Sequence, residues 1–62
     1  MKLKEMLDRD GIYRGSDKCI KVVQGTRAIR VTRNYLECDT WKHFLNLNVI
    51  QNNGNIYVVE NI

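Results

Sequence analysis

The fold turns on the stretch Cys19-Ile20-Lys21-Val22-Val23-Gln24-Gly25-Thr26-Arg27-Ala28-Ile29-Arg30-Val31-Thr32. Ile20 and Val22 alternate with Cys19 and Lys21. Ile29 and Val31 alternate with Ala28, Arg30 and Thr32. A period of two marks strands with one covered face. A four-residue loop, Gln24 to Arg27, sets Val22 opposite Ile29 and Ile20 opposite Val31. One face of this hairpin is then wholly apolar, and a one-residue slip would turn it to water, so the register is specified. The rival is a helix over 26–37, which brings Arg27, Arg30 and Arg33 near one another and suggests a winged-helix-like arrangement. Ile29, Val31 and Thr32 count against it, because β-branched side chains lose rotamer freedom in a helix and fit a pleated sheet.

Toward the N-terminus, Leu3, Met6 and Leu7 fall at i, i+3 and i+4, the apolar stripe of a short helix, with Lys2, Lys4 and Glu5 off it. Gly11, after Asp8-Arg9-Asp10, ends that helix in a left-handed turn. Ile12-Tyr13-Arg14 reads as a short strand and Gly15-Ser16-Asp17 as a turn. Toward the C-terminus, Asp39-Thr40 offers an N-cap, and Trp41, Phe44 and Leu45 follow at helical spacing, which predicts a helix over 40–46. Asn53-Gly54 then closes a second hairpin through a type I′ turn, which sets Ile50 against Tyr57 and Val49 against Val58. The expectation is one small α+β domain over 1–62. It carries an antiparallel sheet of two hairpins, roughly three to five strands, with one or two short helices on one face.

The chain has 62 residues, 44 % of them apolar, which is neither a disordered tail nor a membrane span. A chain this short buries only about 60 % of its unfolded surface, so the core is thin. Two cysteines, Cys19 and Cys38, are too few for a secreted disulfide scaffold. MKLKEMLDRD lacks the apolar run of a signal peptide. A cytoplasmic protein with reduced thiols is the expectation, with a Cys19–Cys38 bridge the less favoured reading.

Enzymatic chemistry finds little support. His43 is the only histidine, and its closeness in sequence to Cys38 does not make a catalytic pair. Cys19, Cys38 and His43 lack the paired spacing of a zinc site. Asp8-Arg9-Asp10-Gly11 resembles the start of a calcium loop, but Ile12 stands where a ligand is needed. The four glycines form no phosphate-binding motif, and so thin a domain seldom holds a cleft for paired carboxylates. The chain is read as non-enzymatic, with no cofactor and no metal.

Charge carries the remaining signal. Lys plus Arg is 10 and Asp plus Glu is 7, a net +3. Lys18, Lys21, Arg27, Arg30 and Arg33 occupy a stretch with no acid. In the hairpin Lys21 faces Arg30, a mildly unfavourable like-charge pair that an anionic partner would relieve. These five residues are the expected phosphate contacts of a small nucleic-acid-binding or regulatory protein, with Tyr13 or Tyr35 as a stacking ring. The bland alternative is a solvated face whose charges pair with Asp17, Glu37 or Glu60.

The last strand points elsewhere. Ile56, Tyr57, Val58 and Val59 are apolar on both faces, so the strand is either central, with one face open to a partner, or an edge that pairs with a second copy. The second expectation is therefore a protein-interaction module, a small inhibitor or adaptor that binds a larger protein, with Tyr57, Val59 and Trp41 as anchors. A homodimer fits that reading, and no membrane is involved in either. Size and composition suit an accessory protein of a phage or mobile element.

Overall fold

A computed structural model describes residues 1–61 of the chain. Helix α1 spans Leu3–Arg9 and buries Leu3, Met6 and Leu7. Glu5 accepts a hydrogen bond from the Lys2 backbone N–H at 2.9 Å, which satisfies a donor at the helix start. The helix ends as expected at Gly11, with φ +77°. The Ile12 N–H bonds back to the Leu7 carbonyl at 2.8 Å and the Gly11 N–H to the Asp8 carbonyl at 3.2 Å. This is a Schellman motif, and its two apolar flanks, Leu7 and Ile12, are both in the core.

Strands β1 (Ile20–Gln24) and β2 (Arg27–Val31) form the expected hairpin, with Ile20 opposite Val31, Lys21 opposite Arg30 and Val22 opposite Ile29. The connection is shorter than expected. Gln24 pairs with Arg27, leaving Gly25-Thr26 as a two-residue turn with positive φ at Gly25 alone. Glycine first in such a turn is the type II′ preference. The helix over 26–37 is ruled out except at its end, where α2 (Arg33–Leu36) makes one turn capped by Thr32. The expected helix over 40–46 is a tighter 3₁₀ segment, Lys42–Asn46. Ile12-Tyr13-Arg14 forms no strand.

Strands β3 (Val49–Asn53) and β4 (Ile56–Val59) make the second hairpin, with a corrected register. Asn53 pairs with Ile56, Asn52 with Tyr57 and Gln51 with Val58. The turn is Gly54-Asn55, again with only the glycine at positive φ, so it is not type I′. A bulge between Val49 and Gln51 returns Val49 to Val59 and leaves Ile50 68 % exposed. The four strands lie in the order β2-β1-β4-β3, antiparallel within each hairpin but parallel where β1 meets β4. The fold is thus small α+β with a mixed sheet. The chain start is tied to it: the Leu3 N–H bonds to the Leu47 carbonyl and the Val49 N–H to the Met1 carbonyl. No helix among the described residues is long and apolar enough to cross a membrane.

Candidate functional site: the open face of the sheet

Register neighbours share a face, so the pairings sort every strand residue. The helix-side face carries Ile20 and Val22 from β1, Ile29 and Val31 from β2, and Tyr57 and Val59 from β4. These pack with Leu3, Leu7, Leu36 and Phe44 into one core. Among the described residues no helix covers the opposite face. One row across it reads Arg30, Lys21, Ile56, Asn53, and the next Ala28, Val23, Val58, Gln51. Val23, Ile56 and Val58 are half-buried and the rest are exposed. Both rows together hold two cations and no carboxylate.

The five basic residues named from the sequence do not form one surface. Lys21 and Arg30 lie together on the open face, and neither forms an ion pair among the described residues. Arg27 is on the helix side, its guanidinium carbon 5.5 Å from the centre of the Trp41 ring. Lys18 is in the loop before β1, where its charge acts on Asp10. Arg33 is corrected outright as a phosphate contact. It is 9 % exposed. Its Nε donates to Glu37 at 2.8 Å, and its Nη1 donates to Asp8 at 2.9 Å and to the Ile12 carbonyl at 3.1 Å. It pins α2 to the end of α1. The Arg33–Glu37 pair, at i and i+4, was open to a helical reading, whereas Asp8 carried no signal.

Tyr57 and Val59 are likewise not partner anchors. Each is 1 % exposed, on the core side of β4. β4 is hydrogen-bonded on both sides, so it is not an edge that a second copy extends. The Tyr57 hydroxyl donates to Asp10 at 2.6 Å. That bond, with Arg9 beside it, holds the Asp10 carboxyl below its usual range, while burial and the same bond push the Tyr57 hydroxyl well up. Trp41 is half-buried, stacked on Phe44 at 5.7 Å between ring centres and covered by Arg27. Tyr13 and Tyr35 are exposed but lie off the strands, on the loop after α1 and on α2.

One cavity of about 390 Å³ opens at the end of the sheet, lined by Cys19, Ile20, Lys21, Arg30, Asn55 and Ile56. Its size reaches the range of small-ligand sites, against the expectation that so thin a domain has no such cleft. It holds no carboxylate for acid–base work. The sequence marks Cys19 only as a thiol and Ile56 only as part of a two-sided apolar strand, and it gives Asn55 no role. Ile56 reaches Lys21 only through the parallel β1–β4 pairing, which leaves no local trace. Cys19 and Cys38 are free thiols, and His43 stacks on Phe44 at 4.4 Å. No three His, Cys, Asp or Glu side chains among the described residues converge to hold a metal. Comparison of the chain with protein-family models, curated proteins and solved structures finds no match.

Proposed function

We propose that the protein is a non-enzymatic interaction module whose open sheet face docks on an acidic surface of a partner protein. The observation that carries this reading is the composition of that face. Val23, Ile56 and Val58 form a half-buried apolar centre beside Lys21 and Arg30, with no carboxylate among its strand residues. Apolar centre and charged rim is the anatomy of a protein interface. The unpaired cations select a partner of opposite sign. Nucleic-acid binding through a five-residue basic face draws less support. Arg33 is held by Asp8 and Glu37, Arg27 lies on the other side, and no strand residue on the open face is aromatic, so a base finds no ring there to stack on.

A photo-crosslinking residue at position 58, with a second variant carrying it at Lys4 on the exposed side of α1, tests the reading in cells that make the protein. The expected result is an acidic protein captured from position 58 and not from position 4, and lost with Arg30→Glu or Val58→Asp in a chain that stays folded by circular dichroism. Absence of position-specific capture overturns the proposal. So does binding of labelled duplex DNA or RNA at about 200 mM salt that depends on Lys21 and Arg30, since that result returns the face to nucleic acid.

A further inference from the structure

The geometry points to the cavity at the end of the open face as an oxyanion site, built to take a phosphate monoester on a side chain of the docked protein. The inference rests on the open-face reading and adds the group that this face recognises. Lys21 and Arg30 stand directly opposite on β1 and β2 and both line the same cavity of about 390 Å³. Neither forms an ion pair among the described residues, although most carboxylates of the chain bond elsewhere: Asp8 and Glu37 to Arg33, Asp10 to Arg9 and Tyr57, Asp39 to Lys42. Lys21 and Arg30 therefore face each other across the two strands with no carboxylate paired to either among the described residues. Like charges placed so repel, and an occupant of opposite sign turns that repulsion into attraction.

The chemistry of the pair selects the occupant. A guanidinium offers a planar fork for two oxygens, and an ammonium adds a point charge with rotatable donors. Together they supply +2. A phosphate monoester carries about −1.5 to −2 at neutral pH, whereas a carboxylate carries −1. A nucleic-acid backbone diester also carries one charge per phosphate. Ile56, on the same wall, and Val23 and Val58 beyond it offer apolar contact to the residues flanking a phosphorylated side chain. The cavity lining includes no aromatic ring to stack on a nucleotide base. Both observations favour a protein source of the phosphate over a nucleotide.

Titration of the ¹⁵N-labelled full chain at neutral pH and constant ionic strength tests this, with O-phosphoserine, dimethyl phosphate, acetate and adenosine monophosphate as separate probes. Phosphoserine should shift the amides of Cys19, Lys21, Arg30, Asn55 and Ile56 saturably, and more tightly than dimethyl phosphate or acetate. Lys21→Gln and Arg30→Gln should each weaken it about tenfold or more, the loss expected of one charge-assisted contact. Both side chains are exposed, so the variants keep the fold, which their spectra report directly. The site is overturned if no saturable shift appears at these amides. It is equally overturned if acetate or dimethyl phosphate binds as tightly, or if the double variant retains affinity. Tighter binding of adenosine monophosphate than of phosphoserine overturns the protein source. No partner protein enters this titration, so it can fail while crosslinking from position 58 succeeds, and the reverse.

Discussion

The two faces of one sheet divide the work of this molecule. On the helix side Ile20, Val22, Tyr57 and Val59 are 1 % exposed or less, under α1, α2 and the 3₁₀ segment. On the other side Val23, Ile56 and Val58 keep contact with water, beside two cations without counter-ions. The same contrast holds for arginine. Arg33 faces inward and bonds to Asp8, Glu37 and the Ile12 carbonyl, while Arg30, three residues away, forms no ion pair among the described residues. The fully buried apolar side chains of the strands lie on the first face, and the second carries only half-buried or exposed ones.

Neighbours on β4 give the sharpest test. Val59→Ala removes buried methyl groups from the core and should cost roughly 2–3 kcal/mol in urea unfolding, against about 1 kcal/mol or less for the half-buried Val58→Ala. Equal losses would break the distinction between the faces. Arg33→Met should cost about 2 kcal/mol. That is less than full loss of a buried pair, because Asp8 is 55 % and Glu37 24 % exposed and both stay partly hydrated.

Protons report the same division. Hydrogen bonds from Arg33 hold the Glu37 carboxyl below its ordinary 4.5, and the bond from Tyr57 holds Asp10 below 3.8. Lowered carboxyl values add stability above those pH values and lose it as pH falls through the folded-state values. Acid unfolding should therefore set in below about pH 4 and be shallower in Arg33→Met, as a pH series of urea midpoints would show. Tyr57→Phe should cost about 1 kcal/mol for the lost bond to Asp10. The Tyr57 hydroxyl lies above its ordinary 10.0, so the folded state keeps a proton that the unfolded state releases. Stability of the parent chain should fall as pH rises past 10, and Tyr57→Phe should flatten that fall. The smallest effect belongs to the open face: Arg30→Gln should stabilise by a few tenths of a kcal/mol by relieving the repulsion from Lys21. A loss there would show that Arg30 has a structural partner after all.

The strands follow the sequence where the signal is local. The β1–β2 register follows from alternation on both sides of a short turn, and the end of α1 follows from Gly11. The turn of the second hairpin departs from its local signal by one residue. Asn53-Gly54 suits a type I′ turn by composition, yet the chain places Gly54 first and absorbs the offset in a bulge at Ile50. The candidate site was legible only as Lys21 opposite Arg30. Arg27, Arg33, Tyr57 and Val59 suit a site by residue type, but residue type does not say which side of a sheet a helix covers.

From the sequence alone come the α+β class, the first helix and its glycine stop, the first hairpin, and the like-charge pair at its centre. All depend on contacts within about a dozen residues, where period and turn chemistry suffice. Only the tertiary structure decided that β1 pairs in parallel with β4, that Arg33 is walled in by Asp8 and Glu37, and that one face of the sheet stays bare. Those outcomes join residues 20 or more positions apart, such as Asp8 with Arg33 and Lys21 with Ile56. They are set by which arrangement buries the apolar stripe of α1 and the 3₁₀ segment against the sheet, a competition among whole packings that no local pattern records.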